Sequence, residues 1–172
     1  MRNRYVLFTG VKRVEVLEET LGAPPSGAAL VRSEFTFISA GTELANLTGA
    51  DPQVFRPGSW CAYPWRPGYA QVGLVEAVGE GFRAAAPGQR VFTLGGHADY
   101  ARVTGQDLVL PVPDGLDPLD AVASRMAGVA AAAIVAKPPA WYERGWVAVY
   151  GLGMVGNLAA QCYRALGARV IG

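Results

Sequence analysis

The feature that most constrains the fold of this chain is a glycine motif near its end. Gly151, Gly153 and Gly156 match the spacing GxGxxG. The motif directly follows Trp146–Tyr150 (WVAVY), a nearly all-apolar run that is typical of a strand buried on both faces of a parallel sheet. The residues after the motif carry apolar side chains at helical spacing, and Arg169–Ile171 begins a second strand.

This order of strand, glycine turn, amphipathic helix and strand is typical of the start of a dinucleotide-binding fold. The first glycine permits the tight turn, the second lets the backbone approach a pyrophosphate, and the third lets the helix pack on the strand. The phosphates then bind N–H groups at the helix N-terminus. The predicted cofactor is NAD or NADP, and the predicted cofactor-binding residues are Gly151, Gly153, Met154, Val155 and Gly156. The alternative is a glycine-rich turn in another kind of α/β domain.

Composition and charge favour a folded protein that acts on small molecules. The chain has 172 residues, of which 51% are hydrophobic and 17% charged, and its net charge is +1. A net charge this small does not attract nucleic acid or an anionic membrane by long-range electrostatics. The N-terminus lacks the apolar core of a signal peptide, and we expect no membrane-spanning segment. Cys61 and Cys162 stand in unrelated contexts that suit a reducing compartment, so the predicted location is cytoplasmic.

The first two thirds of the chain are predicted to be rich in β-structure. Short β-branched or aromatic runs alternate there with Gly and Pro clusters, which favours a sandwich or barrel. Thr42–Leu47 is predicted to form a single helical turn, and Asp51–Gly68 a long loop. The seven predicted strands are Arg4–Phe8, Val14–Glu18, Leu30–Ile38, Gln71–Val78, Arg90–Leu94, Ala98–Val103 and Asp107–Pro111.

The residue pattern of the sequence changes after residue 112. Leu119–Ala136 is rich in alanine and predicts one helix, with Asp117 as N-cap and Pro118 at the first helical position. A domain boundary is therefore expected near residues 115–120.

Several phrases resemble signatures of the medium-chain dehydrogenase/reductase family. RPGYAQVGLVEAVGEG (66–81) resembles the family's PGHE passage, PGQRVF (87–92) its G-D-R-V turn, and GGHADYARV (95–103) its GG-x-A-E-Y passage. The resemblance implies a mostly β GroES-like catalytic domain at residues 1–117. It also implies, at residues 118–172, a linking helix and the first strand, helix and strand of an incomplete Rossmann domain.

The chain departs from the zinc-dependent branch of that family at the ligand positions. The branch places a cysteine two residues before a Thr or Ser and a histidine in PGHE, where this sequence has Ala40 and Tyr69. The third ligand would fall at residues 123–126, where Arg125 is the long polar side chain. The resemblance therefore implies no metal ligands and a zinc-independent enzyme, in which hydrogen-bond donors polarise the substrate. It also implies a homodimer or homotetramer in the full-length protein.

Thr42, Tyr69 and His97 are the predicted catalytic residues. By the resemblance, Thr42 matches the hydroxyl that relays the substrate proton, and Tyr69 replaces a ligand and points a phenol into the same cleft. The alternatives are that Thr42 only caps a helical turn and that Tyr69 only packs.

His97 is the single histidine, and imidazole is the side chain most often used to accept and donate protons in enzymes. The alternatives are a structural or solvent-facing side chain, or a zinc site built from His97, Cys61, Glu43 and Asp99. Trp60, Tyr63 and Trp65 either line an apolar substrate pocket or fold the long loop on itself.

The resemblance thus implies an NAD(P)-dependent oxidoreductase that transfers a hydride between nicotinamide and a carbonyl, an alcohol or an activated alkene, with a small-molecule substrate. The alternative is a fragment, or a non-catalytic GroES-like module without activity of its own.

Overall fold

The computed structural model describes residues 1–172, apart from the side chain of Pro139. The chain divides into two compact units, Met1–Val122 and Ala123–Gly172, which are described separately.

The first unit opens with an antiparallel hairpin. Strand β1 (Arg2–Gly10) pairs with β2 (Arg13–Thr20). Lys12, in the turn, has a positive φ of 55°. Backbone hydrogen bonds from β1 also reach two distant segments, because Val6 N donates to His97 O at 2.9 Å and Phe8 N donates to Trp65 O at 2.8 Å. The hairpin therefore holds two loops that carry candidate site residues.

A five-stranded antiparallel sheet forms the centre of the first unit, in the order β6-β3-β4-β5-β7. Its strands are β3 (Ala28–Thr36), β4 (Gln71–Val78), β5 (Arg90–Thr93), β6 (Tyr100–Thr104) and β7 (Val109–Pro111). All seven predicted strands of this region are present, with ends that differ by a few residues. They form a hairpin and one sheet.

Buried side chains on the sheet follow the two-residue period of a strand. One buried cluster contains Ala29, Val31, Val75 and Val91 together with Phe82. The other contains Val72 and Phe92, the alternate positions of two of the same strands, with Ala70, Ala121 and Val122. Central strands are thus apolar at successive positions because both of their faces are covered.

Helix α1 (Ala40–Thr48) follows β3, and it is longer than the single turn predicted from the sequence. Gly49 ends it with a φ of 73°, a conformation that favours glycine. A 3-10 turn at Pro52–Phe55 comes next. In the long loop, Trp65 packs edge-on against Phe8 and Trp60, which supports the reading in which these aromatic rings fold the loop on itself.

An ion pair holds the end of this loop to the hairpin. Arg66 donates two hydrogen bonds to the Glu19 carboxylate, at 3.0 and 2.9 Å, and its guanidinium carbon lies 3.6 Å from the centre of the Tyr5 ring. Asn3 Nδ2 donates to the same carboxylate at 2.9 Å. The Arg66 hydrogen bonds hold the pKa of Glu19 below its usual range.

We expect Glu19→Gln to lower the free energy of unfolding by about 1 kcal/mol at neutral pH, as for other partly exposed pairs. Because the folded pKa of Glu19 is lowered, this contribution is present above the unfolded pKa, about 4.3, and is lost as pH falls through the folded pKa. Urea denaturation of both proteins at neutral and acid pH measures the difference. Glu80→Gln, at an exposed carboxylate, is the matched control, and a difference that stays constant down to acid pH would contradict the prediction.

The second unit contains a parallel pair of strands and the helix that connects them. Helix α2 (Pro118–Val135) leads into it, and the predicted cap at its start is confirmed, since Leu119 N donates to Asp117 Oδ1 at 2.8 Å. After a 3-10 turn at Pro139–Trp141 come β8 (Trp146–Ala148), α3 (Met154–Ala165) and β9 (Arg169–Ile171). The core of this unit contains Ile134, Tyr142 and Ala168, with Ala131, Val147, Cys162, Tyr163 and Val170 packed against them.

The prediction that Trp146–Tyr150 is buried on both faces is wrong. Trp146 is 65% exposed and Tyr150 is 97% exposed. The sheet of the second unit has two strands, and Val147 is the β8 residue that packs into its core. An apolar run predicts a strand, whereas its burial depends on neighbouring elements that this unit does not supply.

One helix meets the length and composition criteria for a membrane span, which the sequence analysis did not expect. This is α2, of whose residues 28% are buried. Core helices of soluble proteins meet the same criteria, so the finding is weak evidence for a membrane.

Candidate functional site

Two loops of the first unit meet backbone to backbone where His97 lies. His97 N donates to Pro67 O at 3.0 Å. A Cβ on Gly68, whose φ is 98°, would lie 2.8 Å from His97 N, and a Cβ on Gly96 would lie 2.8 Å from Pro67 O. Glycine is therefore required at positions 68 and 96 for this approach, which fixes the backbone of His97.

Buried polar side chains hold the turn that carries His97 through hydrogen bonds. Gln71 is fully buried, donates through Nε2 to Ser33 Oγ at 2.5 Å and accepts from Thr93 Oγ1 at 2.6 Å. Ser33 Oγ in turn donates to Ala98 O at 2.5 Å, and Thr93 Oγ1 accepts from Gly95 N at 3.1 Å. The chain is thus held on both sides of His97.

The His97 ring has a partner on each nitrogen. Nε2 lies 2.8 Å from Glu43 Oε2, and Nδ1 lies 2.8 Å from Thr36 Oγ1. The other Glu43 oxygen, Oε1, accepts from Ser39 N at 2.8 Å, which caps α1. The side chains of His97 and Glu43 are only 11% and 5% exposed. The solvent-facing alternative for His97 is therefore wrong.

This arrangement is able to move a proton between groups. An ionised carboxylate only accepts hydrogen bonds, so Nε2 of His97 is the donor whenever the Glu43 carboxyl is ionised. Nδ1 then accepts from the Thr36 hydroxyl when the ring is neutral, and donates to it when the ring is protonated. Glu43, His97 and Thr36 form a hydrogen-bonded chain, called here the Glu43–His97–Thr36 relay.

The relay forms the polar end of an otherwise apolar cavity of about 550 Å³. The apolar walls come from the hairpin and from the segment around α1. The lining residues are Val6, Phe8, Val14, Thr36, Ile38, Ala40, Glu43, Leu44, Leu47 and His97. A cavity of this size with few polar groups is typical of a small-molecule site.

Thr42 and Tyr69 are not among the residues that line this cavity. Thr42 lies within α1, whose N-terminal Ser39 N–H is bonded by Glu43, so the alternative of Thr42 as the cap is wrong. Tyr69 lies, half-buried, in the segment before β4. Their catalytic roles stay predictions.

The suggested zinc group of His97, Cys61, Glu43 and Asp99 is not assembled. Asp99 binds Arg4 at 2.9 Å, and Cys61 lies buried beside Ser59. No cluster of three or more His, Cys, Asp or Glu side chains suited to a metal occurs among the described residues.

The sequence analysis missed the roles of Glu43 and Thr36. A weak signal for Glu43 was present, because an acidic side chain in the first turn of a helix is favoured by the helix dipole. No comparable signal existed for Thr36, which is separated from His97 by 61 residues.

The glycine turn of the second unit combines one close backbone contact with open space. Gly151 has a φ of 84°, and Gly153 is the N-cap of α3. A Cβ on Gly156 would lie 1.9 Å from Gly151 O, whereas a Cβ on Gly151 or Gly153 would meet nothing within 4 Å. The third glycine therefore permits close packing, and open space remains beside the first two.

The N–H groups that would hold a phosphate lie at the start of α3. The first hydrogen bond of the helix runs from Asn157 N to Gly153 O at 2.8 Å. The N–H groups of Met154, Val155 and Gly156 precede it and lack a partner within the helix, as in every helix N-terminus. They also lie at the positive end of the helix dipole. The five predicted cofactor-binding residues thus lie at or just before one helix start.

Comparison with known proteins gives a consistent group of relatives, although no family model matches the chain. A pig (Sus scrofa) quinone oxidoreductase is 34% identical over 114 residues, which cover 63% of this chain and 34% of that protein. Among solved structures, alcohol dehydrogenase TADH from Thermus sp. ATN1 is 26% identical with a TM-score of 0.75, over 98% of this chain and 57% of that one.

An Escherichia coli CFT073 alcohol dehydrogenase solved in complex with NADH shares the fold. It has a TM-score of 0.78 and 19% identity, over 96% of this chain and 54% of that one. The chain thus spans about half the length of the solved structures and about a third of the curated relative.

Proposed function

We propose that the chain is a member of the medium-chain dehydrogenase/reductase family and works as a nicotinamide-dependent oxidoreductase. The proposed reaction is hydride transfer between the cofactor and a carbonyl, an alcohol or an activated alkene. The relatives are named as alcohol dehydrogenases and quinone oxidoreductases, which supports redox chemistry on small molecules.

The observation that carries this proposal is the glycine turn between β8 and α3. The close approach of Gly156 to Gly151 O and the N–H groups at the helix start fit a pyrophosphate. NAD or NADP supplies the hydride chemistry when bound. Met154, Val155 and Gly156 hold the phosphates through their backbones, and Gly151 and Gly153 leave room for them.

The proposed catalytic side chains are Thr42, Tyr69 and His97, which polarise the substrate and move its proton. His97 has the strongest support, because its buried hydrogen bonds to Glu43 and Thr36 form a relay at the end of a cavity.

We further propose that the reaction is independent of zinc. This rests on the sequence, which has Ala40 and Tyr69 where zinc-dependent relatives have cysteine and histidine. We expect purified protein to contain far less than one zinc per chain by mass spectrometry, and activity to survive a chelator. Stoichiometric zinc that restores lost activity would contradict this.

The proposed organisation is a GroES-like domain at residues 1–117, followed by a linking helix and the start of a Rossmann domain at 118–172. The curled antiparallel sheet and the parallel β8–α3–β9 unit support it. We propose that the full-length protein is a cytoplasmic homodimer or homotetramer that binds neither nucleic acid nor membrane.

A second candidate is a fragment of a longer enzyme, or a GroES-like module, without activity of its own. The partial coverage of the relatives favours it, as does the exposure of Trp146 and Tyr150 in the second unit. Fluorescence titration of the 172-residue chain with NADH and with NADPH separates the two candidates. Saturable binding with turnover supports an autonomous enzyme, whereas the absence of a fluorescence change with either cofactor supports the fragment.

A further inference from the structure

Gln71 is a fully buried polar side chain at the start of β4. In the register of the sheet it lies between Thr36 on β3 and Thr93 on β5. A buried side-chain amide requires acceptors for its N–H groups and a donor for its oxygen, because an unpaired polar group costs free energy. The partners of Gln71 therefore show which neighbouring segment this amide supports.

The hydrogen bonds around Gln71 run in one direction through three strands. Gly95 N donates to Thr93 Oγ1 at 3.1 Å, and the Thr93 hydroxyl donates to Gln71 Oε1 at 2.6 Å. Gln71 Nε2 donates to Ser33 Oγ at 2.5 Å, and the Ser33 hydroxyl donates to Ala98 O at 2.5 Å. Each hydroxyl has one proton, so these bonds fix which end of the amide faces each neighbour. The chain of hydrogen bonds thus joins the two ends of the turn that carries the single histidine.

A β-bulge in β3 brings two hydroxyls to the same turn. Ser33 and Thr36 are three residues apart, and in a regular strand their side chains would point to opposite faces. The register with β4 shifts between Ser33 and Phe35, which adds one residue to β3. Ser33 Oγ therefore reaches Ala98 O, and Thr36 Oγ1 reaches His97 Nδ1 at 2.8 Å. One strand thus holds both the backbone of the turn and the imidazole ring.

Gly95 lies directly against the Gln71 amide. A Cβ at Gly95 would lie 2.2 Å from Gln71 Oε1 and 2.8 Å from Gln71 Cδ. The amide is held by hydrogen bonds at both ends in a close-packed interior, so it cannot move aside without losing them. The position of the amide therefore determines how closely the turn approaches the sheet, and glycine is required where the two meet.

We propose that Gln71 is the positioning residue of the Glu43–His97–Thr36 relay. Its amide fixes both ends of the turn through one hydroxyl on each neighbouring strand, and this lets the imidazole contact the carboxylate at Nε2 and the threonine hydroxyl at Nδ1 at the same time. Gln71 is not among the residues that line the cavity, and it acts through the backbone of the turn. The use of the relay in a reaction rests on the proposed function, whereas the placement of the ring is measurable without a cofactor.

The single histidine makes this placement measurable by NMR in the 172-residue chain. Protein labelled with nitrogen-15 histidine shows one imidazole, and the exchange of its Nε2–H with water reports how firmly that N–H is held against Glu43. Thr93→Val keeps the shape of the side chain and removes the hydroxyl that links Gly95 to Gln71. We expect the exchange to become roughly tenfold faster, the effect of losing one hydrogen bond beside buried partners. Thr93→Ser retains the hydroxyl and should keep the wild-type rate.

Two further variants separate positioning from a general loss of stability. Gln71→Glu replaces only the donor end of the amide, and because an ionised carboxylate cannot donate to Ser33 it should also speed the exchange. Val75→Ala, in the other buried cluster of the sheet, should lower the thermal stability and leave the exchange rate unchanged. A wild-type rate in Thr93→Val or Gln71→Glu, an unprotected Nε2–H in the wild type, or equal acceleration by Val75→Ala would overturn the proposal. Because no dinucleotide is present, a negative result leaves cofactor binding at the glycine turn to its own titration.

Discussion

Gly156→Ala is expected to weaken NADH or NADPH binding about a hundredfold, which corresponds to the loss of about 2–3 kcal/mol. The added Cβ would lie 1.9 Å from Gly151 O, a distance that real Cβ atoms do not reach. Relief requires α3 to move away from the turn after β8. The N–H groups of Met154 and Val155 move with the helix, so they no longer converge on a phosphate beside Gly151. Fluorescence titration with each cofactor measures the loss.

A matched control tests whether a Gly→Ala change in another helix, without a close contact, has the same effect. Gly128 lies within α2, and a Cβ there meets nothing within 4 Å. Gly128→Ala should therefore bind cofactor like the wild type and be slightly more stable. Gly156→Ala should also lower the thermal stability of the chain, which is measurable without any ligand. Wild-type affinity and stability in Gly156→Ala would show that the close contact is not required.

The strands could be predicted from the sequence because their pattern is local. Successive residues of a strand point to opposite faces, so β-branched runs between Gly and Pro mark β3 and β4 without knowledge of their neighbours. Helix α1 was predicted too short because its start depends on the Glu43 carboxylate, which bonds the Ser39 N–H. Its end was readable in Gly49.

Burial of the second unit could not be predicted from the apolar run alone. Trp146 and Tyr150 are as hydrophobic as core residues, yet they are exposed because nothing in this unit covers them. Periodicity reports what a segment prefers to contact, and the contact itself depends on which other elements are present.

The candidate site was predictable only in part. His97 was found because it is the single histidine, but its partners lie 54 and 61 residues away in the chain. Thr42 and Glu43 are adjacent in the sequence, and their side chains point about 100° apart on a helix. The choice of Thr42 over Glu43 followed the family motif, whereas the fold places Glu43 against the imidazole.

Glu43→Ala is expected to lower the free energy of unfolding by about 3 kcal/mol, because two hydrogen bonds to a buried carboxylate are lost. His97 Nε2 and Ser39 N would both be left without an acceptor in a largely buried site. Glu43→Gln retains the shape and one acceptor oxygen, so its effect should be smaller. Urea denaturation followed by circular dichroism measures these differences, and Glu80→Ala at an exposed acid should change the result by less than about 0.5 kcal/mol.

A double-mutant cycle then shows whether Glu43 acts through His97. If the two side chains are coupled as their 2.8 Å contact implies, the combined Glu43→Ala and His97→Ala variant should be more stable than the sum of the single losses predicts, by about 1–3 kcal/mol. The part of the Glu43→Ala destabilisation that does not depend on His97 measures the loss of the acceptor for the Ser39 N–H. If the changes in the free energy of unfolding were strictly additive, Glu43 would only cap α1. Glu43 would then not be part of the relay, whereas the contact of His97 with Thr36 at the cavity would be unaffected.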